Sequence, residues 1–253
     1  MSEQSPATVV NLVFGAVGAA CRNLLPTWRG AWASLALAGV ATGLWWAARG
    51  APLAGLWAAI MFLTGLMAKG AAWRLAVQAG KPGPGGLQLG RVELNLILVG
   101  LLTVAFLIIL GLLFLVVLLC TAYAVASAGP GFVASDVMTW AGAIIGRGRF
   151  VFGLVFAAGA AGMIWAAARI CLATPITVAS GKVQVLATWP LTRDRTVPIL
   201  ISGLITSVAP FGAIALISMG SGILIDLARG MVLVGLWLPL AVGLMAYWRQ
   251  RLS

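Results

Sequence analysis

Six long, uninterrupted runs of apolar residues constrain this chain more than any other feature of its sequence. Each run has roughly the 17–25 residues, or more, that a helix needs to cross the hydrocarbon layer of a bilayer. The runs lack the alternation of polar and apolar residues that membrane β-strands show, so they predict helices. Their approximate bounds are residues 31–47, 53–73, 94–126, 150–168, 198–218 and 231–247.

Charged residues make up only 8% of the chain, whereas a soluble domain contains about 25%. So few charges leave too little polar surface to cover a soluble particle. No stretch between the runs is long enough to form a core of its own. The sequence therefore predicts an all-α integral membrane protein with six transmembrane helices, in which residues 1–253 form a single helical domain.

Residues 5–24 precede the first run and contain too many glycines and polar groups to span a bilayer. Their apolar residues recur at helical spacing, with polar residues and glycines on the other side. This pattern predicts an amphipathic helix that lies in the cytoplasmic interface. The apolar positions are Val10, Val13, Phe14, Val17, Cys21 and Leu24. In the alternative interpretation, this segment is itself the first transmembrane helix, and the topology is inverted.

The basic residues predict the orientation. With the amino terminus inside, 12 of the 16 Lys and Arg residues lie on the cytoplasmic side and 4 lie outside. This asymmetry favours a topology with both termini in the cytoplasm. The net charge of +11 then predicts contact with anionic lipid headgroups on that side. Nucleic acid is not an expected partner, because the chain has neither a basic run nor a basic face with aromatic residues.

The sequence contains few of the residues and none of the motifs that catalytic sites commonly use. The chain has no histidine, which excludes Ser-His-Asp triads, Cys-His pairs and HExxH metal sites. The acids are Glu3, Glu93, Asp136, Asp194 and Asp226, and none lies in the middle of a predicted span. Gly159 and Gly162 indicate close helix packing and not a phosphate-binding loop. We therefore expect a protein that is not an enzyme and that binds no cofactor and no metal.

Two neighbouring segments share a pattern with a known group of proteins. The first begins at Arg169, where the fourth run ends, and the second leads into the fifth run. The matching residues are Arg169, Leu172, Pro175, Trp189, Leu191, Thr192 and Arg193. This arrangement resembles bacterial membrane proteins of the YciC type and the membrane domain that accompanies glycerophosphoryl diester phosphodiesterases.

The resemblance implies a six-helix protein of the bacterial plasma (inner) membrane, with an amphipathic amino-terminal helix. It carries over no catalytic residue. The chain departs from the pattern at Pro190 and at Asp194, where a basic residue and a glycine are usual.

Two functional interpretations follow. The first is a non-enzymatic envelope protein that acts as a scaffold for its lipid environment, for a membrane-protein partner or for a second copy of the chain. The second is a small-molecule transporter or permease component. Pro210 and Pro239 favour the second, because a proline near the middle of a helix frees a backbone carbonyl.

Three structural expectations can be compared with coordinates. The run 94–126 should form one continuous helix whose projecting end is covered by residues 127–149. Asp226 and Arg229, three residues apart on a helix, should form an exposed ion pair. Glu93 and Arg169 should pair at the cytoplasmic rim, tying the third span to the fourth.

The charge asymmetry predicts where reporters will lie. A reporter fused after Ser253 should be cytoplasmic, and one inserted near Gly131 should be external. Paired phosphatase and fluorescent-protein fusions at both sites measure this directly. The inverted pattern at both sites would contradict the orientation.

Overall fold

The computed structural model describes residues 6–78, 80–129, 137–146 and 148–252. It has two compact units, residues 1–100 with 169–253 and residues 101–168. In the described part of the chain the regular structure is helical. Its α-helices are α1 (Pro6–Ala47), α2 (Ala54–Val77), α3 (Arg91–Ser127), α4 (Val137–Ile145), α5 (Arg149–Ile170), α6 (Ala173–Ser180), α7 (Thr188–Leu191), α8 (Thr196–Ile217), α9 (Ile223–Val232) and α10 (Leu238–Leu252).

Six helical stretches of the described residues are long and apolar enough to cross a membrane, which confirms the predicted fold class. The fifth span matches α8 closely, while the sixth begins earlier than expected, at Ile223. In this last stretch, α9 passes through a short π-helical turn, Leu233–Trp237, directly into α10. The stretches are Val9–Ala47, Ala54–Val77, Pro84–Ser127, Arg149–Ser180, Thr196–Ile217 and Ile223–Leu252.

The amino-terminal segment and the first span are two helices that meet at a kink within α1. The kink lies at Ala31, where the first span is predicted to begin and where the backbone is non-helical (φ −131°, ψ 23°). The buried side of the amino-terminal segment, however, differs from the prediction. Ala16 and Ala20 are fully buried, whereas Phe14, placed on the predicted apolar face, is 69% exposed. Small residues pack inward here because a neighbouring helix comes close.

That neighbour is the last helical stretch, which runs antiparallel to α1 along most of its length. Near the start of α1, Gly15 lies against the ring of Tyr247. Near its end, Gly43 lies against the backbone of Leu227. The first and last helices of the chain are therefore packed side by side, and this pairing forms the centre of the first unit.

The two helices come closest where three glycines meet. A Cβ atom at Gly230 would overlap the carbonyl oxygen of Gly39 and would lie 2.5 Å from the backbone nitrogen of Gly43. Gly39 and Gly43 are four residues apart and share one face of α1, which is the small-residue spacing that allows membrane helices to approach closely. The contact is thus backbone against backbone, with no room for a side chain.

A buried aromatic residue anchors the carboxyl-terminal end of the same unit. Trp248 is fully buried, and its indole N–H donates a hydrogen bond to the hydroxyl oxygen of Ser202, 3.0 Å away, in α8. Around the ring pack Leu172, Ile199 and Leu244. This cluster joins α8, α10 and the segment that follows α5.

The helix α3, whose residues 101–127 belong to the second unit, confirms the predicted long helix. It is continuous from Arg91 to Ser127, and its 37 residues span about 55 Å. Its Tyr123 ring contacts the Trp140 ring of α4 edge-on, with centroids 5.7 Å apart. This contact supports the expected cover for the projecting end, although residues 130–136 and 147 of that segment lie outside the described part. Gly159 of α5 lies directly against the ring of Phe114, whereas Gly162 has open space beside it.

The glycine crossing predicts a large effect from a single methyl group. We expect Gly230→Ala to lower the free energy of unfolding by about 1–3 kcal/mol, because the added carbon forces two backbones apart. Thermal unfolding of the purified protein in nanodiscs measures this. Gly65→Ala in α2 is the matched control, because a Cβ there would meet nothing within 4 Å. Equal effects of the two substitutions would contradict the assigned role of the crossing.

Candidate functional site

The predicted site residue Glu93 lies in the first turn of α3 and is 1% exposed. One of its carboxylate oxygens accepts a hydrogen bond of 2.8 Å from the backbone N–H of Gly90, which immediately precedes the helix. A glutamate at the third helical position that reaches back in this way forms one half of a capping box. The negative charge also lies at the helix end where the macrodipole favours it.

The same carboxylate binds Arg74, in the last turn of α2. The guanidinium Nη2 lies 2.7 Å from Glu93 Oε2, and the two side chains are 5% and 2% exposed. Gly70, one helical turn before Arg74, leaves the space that the carboxylate fills, because a Cβ there would overlap Glu93 Oε1. The pair is therefore a buried ion pair that joins the end of one span to the start of the next.

The loop between α2 and α3 brings the two charges together. At its centre is a 3₁₀ turn, Pro84–Gly86, which packs on the kinked part of α1. Gly86 has a φ of 82°, and a Cβ there would lie 3.0 Å from Ala31 Cα. Both the left-handed backbone and the tight contact favour glycine at this position.

The expected pair of Glu93 with Arg169 is wrong. Glu93 pairs with Arg74 instead, and the Arg169 guanidinium lies over the Trp189 ring, 5.0 Å from its centroid. The physical reason is chain connectivity. A short loop makes the ends of α2 and α3 neighbours, so the partner of Glu93 comes from the preceding span.

The backbone of Arg169, by contrast, has a clear structural role at the end of α5. Its carbonyl oxygen accepts hydrogen bonds from the hydroxyls of Thr188, at 3.0 Å, and Thr192, at 3.1 Å. Both threonines are fully buried. The last carbonyls of a helix have no intrahelical partner. Thr188 of α7 and Thr192, directly after α7, therefore supply hydroxyl donors at the end of α5.

Other residues of the resemblance surround this junction. Leu172 and Pro175 are buried, and Pro175 lies in the first turn of α6, where proline is tolerated because the helix needs no N–H there. Arg193 is exposed. The segment 169–196 thus folds as a compact linker between two spans.

Pro239 and its surroundings bear on the transport hypothesis. Proline has no N–H, so in a regular helix the carbonyl of Gly235 would lack a donor. The indole N–H of Trp28 donates to this carbonyl at 2.6 Å. Asn23 Nδ2 donates to the carbonyl of Pro239 itself at 3.1 Å. The side chains of α1 therefore satisfy the backbone around this proline. Pro210 is buried in α8.

Asp226 and Arg229 form the predicted ion pair, with 2.6 Å between Oδ1 and Nη1. Its exposure differs from the prediction, because the two side chains are only 17% and 22% exposed. Arg229 Nη2 also donates to the carbonyl of Gly220 at 3.2 Å. The pair lies close to the glycine crossing, and this close packing removes it from solvent.

Three clefts open on the surface of the first unit. One, of about 290 Å³, is apolar and lies between α6, α7 and the end of α10. A second, of about 340 Å³, has polar walls from α1, α2 and α10. The third, of about 440 Å³, lies beside Arg49 and the Asp226–Arg229 pair. Neither Pro210 nor Pro239 lines any of these three clefts.

The residues that sequence reasoning missed are Arg74, Trp28 and Asn23. The sequence contained a signal for the pairing of Arg74 with Glu93. Arg74 lies four residues after Gly70, and Glu93 stands in a helix-capping position at the start of the next span. No pattern in the sequence pairs Trp28 with position 235. In the described ranges, no group of three His, Cys, Asp or Glu residues could hold a metal ion.

Comparisons with known proteins give no relative. No protein-family model matches the chain, and no curated protein or solved structure matches it significantly.

The buried ion pair predicts a specific mutational pattern. Arg74→Ala and Glu93→Ala should each lower the free energy of unfolding by about 3–5 kcal/mol, because each strands a buried charge. The double change Arg74→Ala with Glu93→Ala should cost much less than the sum of the two single changes. Thermal unfolding in nanodiscs measures all three.

Arg91→Ala is the control for this series, because Arg91 is exposed and lies beside Glu93 in sequence. It should change stability little. If the Arg74 and Glu93 substitutions behaved additively, the two side chains would not be coupled.

Proposed function

We propose that this chain is a non-enzymatic scaffold of a bacterial plasma membrane, which organises anionic lipids or a membrane-protein partner around a packed helical core. The fold is that of a multi-pass membrane protein, and the role is our inference. The resemblance to YciC-type proteins is part of the same proposal, and it rests on the sequence pattern that includes Arg169, Pro175 and Trp189.

The observation that carries the proposal is the contact between Trp28 and Gly235. Transporters with discontinuous helices use unpaired backbone carbonyls at helix breaks to bind substrates and ions. Here the carbonyl that Pro239 would free is bound by an indole N–H at 2.6 Å. This proline therefore acts as a packing feature, which disfavours the transport hypothesis.

The charged residues of the core support the same role. Arg74 and Glu93 neutralise each other at the junction of α2 and α3. Asp226 in the first turn of α9 and Arg229 in its last turn do the same. Charged side chains that are paired with each other hold these helices in place. Such fixed helices suit a scaffold more than a carrier, which must alternate between two conformations.

The apolar surface of the second unit is suited to lipid or to partner helices. Along α3, large side chains on several faces are exposed, including Leu101, Ile109 and Leu113, each about 60% exposed. In lipid such exposure carries no penalty. It gives a partner helix room to pack against the chain.

Cysteine accessibility tests the proposal. In a background without the native cysteines, we place single cysteines at Ser207, one turn before Pro210, and at Val234 in the π-turn. A scaffold with a dry core leaves both unreactive toward a membrane-impermeant maleimide in spheroplasts and in inverted vesicles.

Ser218→Cys and Lys182→Cys are the positive controls, because both residues are exposed and should react from opposite sides of the membrane. Labelling of the cysteines at 207 or 234 from an aqueous side would reveal a water-filled path. That result would overturn the scaffold proposal in favour of transport.

A further inference from the structure

The polar cleft between the first and last helices is the most distinctive cavity in the first unit. It has a volume of about 340 Å³ and is bounded by α1, by Ala76 of α2 and by α10. Among its described lining residues none is acidic. The polar residues that line it are Arg22, Asn23, Tyr247 and Gln250.

The cleft has a positively charged lining residue, Arg22. Arg22 is exposed, and in the described part of the chain it has no carboxylate partner. The Arg251 guanidinium lies over the Tyr247 ring, 5.5 Å from its centroid, within the range of a cation–π contact. The Arg22 guanidinium therefore belongs to the lining of the cleft, and an arginine fork matches the oxygens of a phosphate.

The cleft also offers neutral hydrogen-bonding groups. Pro26 lies inside α1 and lacks an N–H, so the carbonyl of Arg22, four residues earlier, loses its helical donor. Asn23 uses its amide nitrogen to bind the carbonyl of Pro239, which leaves its amide oxygen as an acceptor. These two acceptors suit hydroxyl donors on a ligand, and the Tyr247 hydroxyl and the Gln250 amide add donors and acceptors.

We propose that this cleft binds a glycerol phosphate group, with the phosphate at Arg22 and the glycerol hydroxyls at the neutral acceptors. Such a group occurs in the headgroup of phosphatidylglycerol and in free glycerol phosphate. The site rests on the proposed lipid-associated scaffold and adds to it one defined headgroup class. It lies beside the carboxyl-terminal ends of α2 and α10 and beside the part of α1 that precedes the kink. The charge asymmetry assigns this region to the cytoplasm, which fits a headgroup of the inner leaflet.

The size of the cleft agrees with this ligand class. A cavity of about 340 Å³ holds a glycerol phosphate group with space for bridging waters, which polar sites commonly retain. Acyl chains of a lipid held there would continue over the apolar sides of the neighbouring helices.

Native mass spectrometry of the full-length protein tests the proposal. Titration with phosphatidylglycerol should reveal one tightly retained lipid. Arg22→Gln should weaken its binding about tenfold, because a charge-assisted hydrogen bond is lost. Arg91→Gln removes the same charge from an exposed residue away from the cleft and should leave binding unchanged.

A second variant separates the hydroxyl contacts from the phosphate contact. Gln250→Leu should weaken phosphatidylglycerol several-fold and leave phosphatidic acid, which lacks the glycerol headgroup, unaffected. Gln250 is exposed, so this change leaves the fold intact.

Competition by sn-glycerol 3-phosphate distinguishes the two sources of the ligand. Displacement of the lipid only at a large excess of the free ester supports the lipid headgroup, and displacement at equal concentration supports a soluble phosphate ester. Equal effects of Arg22→Gln and Arg91→Gln would overturn the site. None of these outcomes depends on the cysteine labelling at positions 207 and 234. The scaffold proposal and the proposed ligand site can therefore be refuted independently.

Discussion

Lipid offers no hydrogen bonds, so every irregularity in a transmembrane backbone must be satisfied from within the protein. This constraint explains much of the first unit. Near Pro239, the carbonyl of Gly235 accepts a hydrogen bond from the indole of Trp28. At the end of α5, the carbonyl of Arg169 accepts hydrogen bonds from the hydroxyls of Thr188 and Thr192. Trp28 reaches its acceptor because α1 and the last helical stretch run side by side and touch through glycines. Close packing and backbone satisfaction therefore depend on each other.

Buried charges, like buried backbone groups, must be satisfied from within the protein, and the ion pair of Arg74 and Glu93 does this. Removing Arg74 and Glu93 from water is unfavourable unless each finds a good partner. Each residue lies at the end of its helix that favours its sign, and the carboxylate accepts a second hydrogen bond from Gly90. Gly70 provides the space for this arrangement. The pair fixes how α2 meets α3, which in turn places the glycine-rich loop against α1.

The polar groups at the two ends of the first unit have different roles. Most of those at the junctions are bound to each other and hold helices together. Arg22 differs, because it lines an open cleft whose described lining residues include no acid. A scaffold that is rigid inside and basic at one opening can hold a lipid headgroup without performing chemistry on it. This division of roles joins the two proposals.

The sequence by itself determined that the chain lies in a lipid bilayer, that its fold is all-helical and roughly where its membrane spans lie. The apolar runs, above all residues 94–126, could only be membrane helices, because their length and lack of charge leave no other way to satisfy the backbone. The i, i+3 spacing of Asp226 and Arg229 also determined their pairing, since helix geometry is local. Tertiary structure alone decided that Ala16 and Ala20 face inward, that Glu93 binds Arg74 and that Trp28 meets Gly235. These contacts depend on which helices lie side by side. Apolar residues suit lipid-facing and protein-facing positions equally well, so the hydropathy of a membrane helix says almost nothing about its neighbours.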